Sequence, residues 1–352
     1  GLLQTGTPPR VVVLSLIVVA VTLATSLRWR IGPVVVIVLL LVGLALRAVP
    51  STGFSDVLTV TEAAIREMQA GGNPYGHGFE ESFPPGAPFA YGPLALLWYV
   101  PALDDPGAQE LLAATVVLGL LALRGRPLGL AVYAVTPAFV VAAGDGSNDT
   151  TAGLLILVAL LVAERVPVAG AALLAAAVAF KPYALAWLPG LLAYGGLGAP
   201  LAAFLVASAV AWLPALVAFG PREVLWSFRE ADALHGPAYY SLAFALEAPE
   251  AVPRPLWTGL RIAVGVGLAI GNLLFVRSAA SLIIGGALVF GATLFLGWWG
   301  SFAYFAAVAP VLCWHLDDWL GLQRFRVVWP TDLVRRVTTW ADTRWPVRSS
   351  AV

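Results

Sequence analysis

Two residues in this apolar chain stand out for the chemistry they could do, a carboxylate at Asp56 and a lone amine at Lys181. A carboxylate near the plane of the lipid headgroups can take the proton from a hydroxyl that attacks a carbon electrophile. Asp56 also stands where an amphipathic stretch begins. There its side chain would instead accept a hydrogen bond from a free backbone N–H, and both readings remain open on local grounds. All but one of the 20 Lys and Arg residues are Arg, and the exception is Lys181. It lies between LeuLeuAlaAlaAlaValAlaPhe and ProTyrAlaLeuAlaTrpLeu. An ionised side chain at membrane depth costs about 2.5–3.5 kcal/mol on insertion scales. Such a residue has a partner, holds an anion such as a phosphate, or snorkels to the interface from a helix end. Arg222, Arg229 and Arg254 are alternative cations for the same anion.

Polar side chains gather around these two. Asn73 and Tyr75 belong to GlyGlyAsnProTyr at 71–75, and Tyr91 to PheAlaTyrGlyProLeuAlaLeuLeu at 89–97. The stretch GlyAspGlySerAsnAsp at 144–149 supplies Asp145, Asn148 and Asp149. These three could hold sugar hydroxyls, coordinate a divalent cation through oxygen, or form a turn that caps the next helix. No second acidic pair stands beside Asp56, so no metal site and no cofactor is expected, a divalent cation being the only one considered. His77 and His235 fall in polar loops. His235 and Tyr239 lie in AlaLeuHisGlyProAlaTyrTyr, whose aromatics could wall a substrate site. Trp298 and Trp299 read as an aromatic belt or as a stacking surface for a sugar. Cys313 and His315 are spaced by two, which makes no metal site, and a single cysteine excludes an internal disulfide.

The elements that must carry these residues are set by hydropathy. The chain is 60% hydrophobic and 11% charged, with mean hydropathy +0.86. Soluble domains carry about 25% charged residues, so this surface faces lipid. The formal net charge is zero, and nothing offers nucleic acid the basic face it requires. Apolar runs occur at 11–27, 33–49, 110–123, 127–143, 151–163, 167–180, 183–194, 199–219, 256–276, 279–297 and 301–315. A shorter run covers 89–103. The first run lacks a small-residue cleavage site and reads as a retained span rather than a signal peptide. The expectation is an all-α, polytopic transmembrane bundle of about ten to twelve spans. Several middle runs are short and bounded by Pro167, Pro182 and Pro200, and read as helices satisfied by neighbours.

Arginine-rich short loops stay cytoplasmic. Placing Arg28, Arg30, Arg124, Arg126, Arg165, Arg277 and the tail arginines inside leaves 50–88, 144–150, 220–255 and 297–300 outside. That scheme requires run 89–103 to dip into the membrane without crossing. One domain is expected over 1–315, with outer loops 50–88 and 220–255. The remainder, 316–352, reads as a cytoplasmic interfacial tail with Leu333, Val337 and Trp340 on one stripe. In the first outer loop, Val57, Val60, Ala64 and Met68 at helical spacing predict a helix lying on the membrane surface.

Taken in order, these motifs resemble a known family. An Asp just after the first spans, a surface helix, AsnProTyr, then TyrGlyProLeu at 91–94 entering the membrane resemble the GT-C superfamily. These are membrane glycosyltransferases that use polyprenyl-phosphate sugars, and the likeness is to the bacterial mannosyltransferase-like branch. GlyAspGlySerAsnAsp at 144–149 followed by PheLysProTyr at 180–183 is similar to the same branch. The likeness covers roughly residues 50 to 190. This chain departs from it where relatives show Tyr-Pro-Pro-Leu and Gly-Gln-x-Asn. The resemblance implies an inverting transferase in the plasma membrane that moves a sugar, mannose first, from a polyprenyl-phosphate carrier to an acceptor hydroxyl. The acceptor is a glycolipid or glycan on the outer face, and Asp56 is the general base. It implies Lys181, Arg222 and Arg229 at the donor phosphate. Asn73, Tyr75, Tyr91, Asp145, Asn148, Asp149, His235 and Tyr239 would surround sugar or acceptor. The rival class is a transporter or flippase, in which broken helices surround a midplane site.

Overall fold

The computed structural model describes residues 9–28, 32–49, 55–234, 236, 240–246, 252–298 and 300–322. The interfacial tail expected beyond residue 322, with His235, Tyr239 and Trp299, lies outside the described residues. The fold is helical, with a single two-stranded antiparallel sheet among the described residues. Contacts divide it into two compact units, the chain passing between them after residues 54, 106, 157 and 304. The sequence reading had taken 1–315 as one domain.

The first unit contains α1 (Pro9–Arg28), α2 (Pro33–Arg47), α5 (Gly107–Arg124), α6 (Pro127–Val135), α7 (Pro137–Val141), the start of α8 (Asp149–Ala163) and most of α16 (Tyr304–Trp319). The second contains α3 (Val57–Gln69), β1 (Gly78–Phe79), β2 (Ala87–Pro88), α4 (Pro93–Tyr99), the end of α8, α9 (Pro167–Phe180), α10 (Leu188–Gly195), α11 (Gly198–Phe219), α12 (Pro221–Leu234), α13 (Leu242–Ala245), α14 (Arg254–Phe275) and α15 (Ala279–Phe295). Proline sets many of the starts: α2, α4, α6, α7 and α9 each begin on one. The missing N–H is no loss there, because that donor has no intrahelical acceptor.

Four helices are long and apolar enough to cross a membrane: Pro9–Leu27, Gly107–Arg124, Gly198–Phe219 and Arg254–Phe275. Only 11%, 11% and 6% of the apolar windows of the first, third and fourth are buried, against 39% for Gly107–Arg124. The first, third and fourth therefore present their apolar faces outward, as in α11 with exposed Leu205, Val206, Val210, Leu213 and Val217. The other apolar runs form shorter helices, such as Pro33–Arg47 and Pro167–Phe180. Fifteen residues in α2 reach only about 22 Å, short of a hydrocarbon core of about 30 Å. Run 89–103 forms one helix of seven residues and a 3-10 turn of three, about 15 Å long at helical rise.

Run 127–143 breaks at Pro137, which the run's hydropathy does not reveal. Proline cannot donate to the carbonyl four residues back, and that carbonyl belongs to Tyr133. Arg47 supplies the missing donors from α2: Nη2 donates to the Tyr133 carbonyl at 2.8 Å, and Nη1 to those of Ala134 at 3.1 Å and Gly43 at 3.0 Å. Its guanidinium carbon also lies 4.8 Å from the Tyr133 ring centre. The side chain is 7% exposed. In lipid no water can take over those carbonyls. Two carboxylates do the converse at helix starts. Asp317 accepts the N–H groups of Leu128 at 3.2 Å and Gly129 at 2.8 Å, at the start of α6. Glu110 accepts the N–H and the hydroxyl of Thr151, at the start of α8.

Removing Arg47 leaves buried carbonyls unpaired, at about 1–3 kcal/mol each. Arg47→Met is expected to lower unfolding free energy by about 3 kcal/mol, read as an earlier midpoint in detergent denaturation. Arg10→Met, at an exposed position on α1, is expected to leave the midpoint in place. Equal midpoints for the two variants would remove Arg47 from this role.

Candidate functional site

In the second unit, α9 ends at Lys181 because Pro182 follows and offers no N–H. The residue before a proline is pushed to extended backbone, and Lys181 has φ −143° and ψ 113°. The chain resumes as a 3-10 turn over Pro182–Trp187. At this break the Lys181 side chain is 6% exposed. Its ammonium lies 5.2 Å from the ring centre of Tyr183, 5.4 Å from that of Tyr91 and 5.9 Å from that of Tyr304. Each such contact contributes about 0.5–2 kcal/mol, more where water is excluded. Together they offset the cost of holding the charge at depth. Tyr183 is itself set edge-on against Phe290 at 5.0 Å and Tyr304 at 6.0 Å. The result is a buried cation with electron-rich rings around it.

Tyr91 reaches this cluster through Gly92. The Gly92 N–H donates to the Phe180 carbonyl at 3.2 Å, and a Cβ on residue 92 would stand 2.0 Å from the Ala179 carbonyl oxygen. Neither proline nor any other side chain fits there. The TyrGlyProLeu of this chain, where the resembled family shows Tyr-Pro-Pro-Leu, thus has a local physical cause.

The loop before Tyr91 is pinned throughout. Asn73 Nδ2 donates to the Phe219 carbonyl at the end of α11, at 2.8 Å, and Asn73 Oδ1 accepts the Tyr75 N–H at 3.0 Å. Tyr75 is buried between the rings of Phe89 and Phe219, and its hydroxyl donates to the Tyr91 carbonyl at 3.1 Å. Burial pushes that phenol above its ordinary pKa. The Gly76 N–H donates to the Ser227 hydroxyl of α12 at 3.0 Å. Beyond it, β1 and β2 pair Gly78 with Pro88 and Phe79 with Ala87.

Asp56 stands at the N-cap of α3 but makes no side-chain cap bond. Its Oδ2 accepts instead the N–H of Phe83 at the hairpin tip. The capping alternative is therefore not the one this side chain takes, and its other oxygen carries no hydrogen bond among the described residues. The helix it opens buries Leu58, Val60, Thr61, Ala64 and Ile65. Val57 and Met68, which the spacing had put on the apolar stripe, are only half-buried. The stripe is turned because α3 packs on α4 in place of lying over lipid alone.

The remaining predicted residues belong to several elements. Asp145, Asn148 and Asp149 belong to the first unit and are buried. There Asp145 accepts the Ser147 N–H at 2.8 Å, a local turn. Arg222 and Arg229 are exposed on α12. Arg254 donates to the Ala233 carbonyl at 3.0 Å and lies 5.3 Å from the Trp298 ring centre. Cys313 and His315 are buried in α16, and among the described residues no group of three His, Cys, Asp or Glu could hold a metal. The sequence reading did not single out Tyr183 as a partner of Lys181, although PheLysProTyr places it two residues on. Tyr304, Gly92 and Phe83 carried no local signal of their roles.

The fold defines a class, a helical membrane protein with an aromatic-ringed lysine at a helix break and a pinned polar loop beside it. No family model matches the chain, and neither does any curated protein or solved structure.

His77 makes this loop pH-sensitive. Its Nδ1 faces the Gly78 carbonyl at 3.1 Å, while Nε2 faces the Asn73 carbonyl at 3.0 Å and the Glu67 carboxylate at 2.9 Å. Burial lowers its pKa, but those two carbonyls and Glu67 outweigh it and leave the imidazole above its ordinary 6.5. Only the imidazolium can donate from both nitrogens. The stabilisation is therefore complete below the unfolded value and lost as pH rises through the folded one. Hydrogen exchange across 71–82, corrected for intrinsic rate, is expected to be faster at pH 8.5 than at pH 5.5. In His77→Gln the corrected rates are expected to coincide. A pH-independent wild-type rate overturns the assignment.

Proposed function

We propose that the protein is an inverting glycosyltransferase that moves a sugar from a polyprenyl-phosphate carrier to an acceptor hydroxyl at the extracytoplasmic face of the plasma membrane. The observation that carries this reading is the pinned loop, whose tip holds the Asp56 carboxylate through one oxygen, the other making no hydrogen bond among the described residues, and whose end lies against a buried ammonium. Nucleotide sugars are made in the cytoplasm, so an outer-face transferase needs a sugar already carried on lipid. The acceptor oxygen attacks the anomeric carbon as the bond from that carbon to phosphate oxygen breaks, and the configuration inverts. The hydroxyl proton passes to Asp56. The leaving polyprenyl phosphate keeps the bond electrons, and cationic stabilisation suffices for it. Lys181 is the cation in this reading, and the tyrosine rings around it fit a donor whose phosphate is followed by an apolar tail. Arg222 and Arg229 are further contacts for that phosphate. The short helix after Tyr91, about 15 Å long, supports a run that dips without crossing and so an outer loop.

The lysine at a helix break also favours a second reading, a transporter or flippase of a lipid-linked or small polar substrate. Purified protein in liposomes with a short-chain polyprenyl-phosphate mannose and a labelled glycolipid or glycan acceptor separates the two. For the transferase, Asp56→Asn is expected to lower turnover by about 10²–10⁴-fold. Lys181→Met is expected to raise the donor KM by about 10- to 100-fold, the size of a charged contact. Transfer undiminished in Asp56→Asn removes Asp56 from the mechanism. Flux without transfer favours the transporter.

A further inference from the structure

Among the described residues Phe83 is the most exposed of the large aromatic hydrophobics, at 84%, and it sits on a rigid support. The Ser82 hydroxyl lies between the carbonyls of Phe79 at 2.6 Å and Pro84 at 2.7 Å, and accepts the Ala87 N–H at 2.7 Å. The Gly86 N–H closes the hairpin on the Phe79 carbonyl at 2.8 Å. Pro84 and Pro85 follow, both exposed, with few backbone freedoms left to lose. The Phe83 N–H is itself bound to the Asp56 carboxylate. Covalent geometry then keeps the ring centre within about 8 Å of that carboxylate in any rotamer.

An exposed, preorganised ring has two natural occupants, a lipid interface and the apolar face of a sugar. Glu80 and Glu81, both exposed, immediately precede the tip. Carboxylates are repelled by anionic headgroups, whereas they accept hydrogen bonds from sugar hydroxyls. The axial C–H bonds of a pyranose carry partial positive charge and stack on the negative face of an aromatic ring.

We propose that Phe83 is the acceptor platform, that Glu80 and Glu81 hold the hydroxyls around it, and that the acceptor is accordingly a pyranose-containing glycan. A sugar stacked on this ring has its free hydroxyls within reach of Asp56, so platform and base are set by one backbone contact. The role given to Asp56 rests on the glycosyltransferase reading, while the sugar-binding surface stands without it.

The test uses the full chain in lipid nanodiscs with methyl mannopyranoside as probe. Mannitol, which has the hydroxyls but no ring, is the control. Saturation-transfer NMR is expected to show the ring C–H protons of methyl mannopyranoside in contact with wild type and with Phe83→Trp. The signal is expected to vanish for mannitol and to weaken about five- to tenfold in Phe83→Ala. Pyranoside contact that depends on Phe83, without any transfer, upholds the platform and sinks the transferase reading. Transfer with an acceptor KM unchanged in Phe83→Ala sinks the platform and leaves the transferase standing. Phe83→Trp fluorescence quenched by brominated lipid and blind to sugar makes the hairpin a membrane finger and overturns the proposal.

Discussion

Every backbone N–H and C=O that lies in lipid has to find its partner inside the protein, because no water is there to serve. This chain breaks its apolar runs with proline again and again, and each break exposes groups that must be paired. Buried charged side chains do the pairing. Arg47 takes the carbonyls of Tyr133 and Ala134 at the Pro137 break, Asp317 takes the first N–H groups of α6, and Glu110 takes the N–H and the hydroxyl of Thr151 in α8. A charge that would be costly alone becomes affordable when two or three main-chain dipoles face it. At these three places a charged side chain thus takes up main-chain groups that a broken helix leaves open.

The same constraint shapes the second unit with the opposite sign of consequence. The Lys181–Pro182 break leaves an ammonium at the end of α9, and three tyrosine rings surround it. The faces of such rings stabilise a cation through their quadrupoles. The loop from Asn73 to Gly92 is fastened to α11, α12 and α9 by main-chain acceptors and one serine hydroxyl. A loop so tied holds the Asp56 carboxylate and the Phe83 ring at a fixed separation.

Much of this was legible beforehand for a simple reason. Hydropathy is additive along a chain, so the runs for α1, α5, α11 and α14 could be read directly, and so could the helix after Asp56. The prolines at 167 and 182 marked real boundaries. Pro137 did not register, because its neighbours are as apolar as any span, and only the pairing of the Tyr133 carbonyl reveals the break. Asp56 invited a capping reading from its place before a helix. The hairpin brings the Phe83 N–H to it from 27 positions away, a competition that no local pattern records. Asn73 and Tyr75 were read as substrate contacts, and their polar atoms turn out to be engaged with Phe219, Tyr91 and each other.

The sequence alone determined that the chain is helical, lipid-facing and segmented. Those properties follow from transfer free energy and from proline's missing N–H, and both are local. Tertiary structure decided which charges pair with helix ends and which meet rings or a distant loop. Arg47, Glu110 and Asp317 look no different in sequence from Lys181 and Asp56. What separates them is the direction from which dipoles, rings and N–H groups approach. That direction depends on contacts such as those of Tyr304 with Lys181, whose positions in the chain lie too far apart for any periodicity to connect.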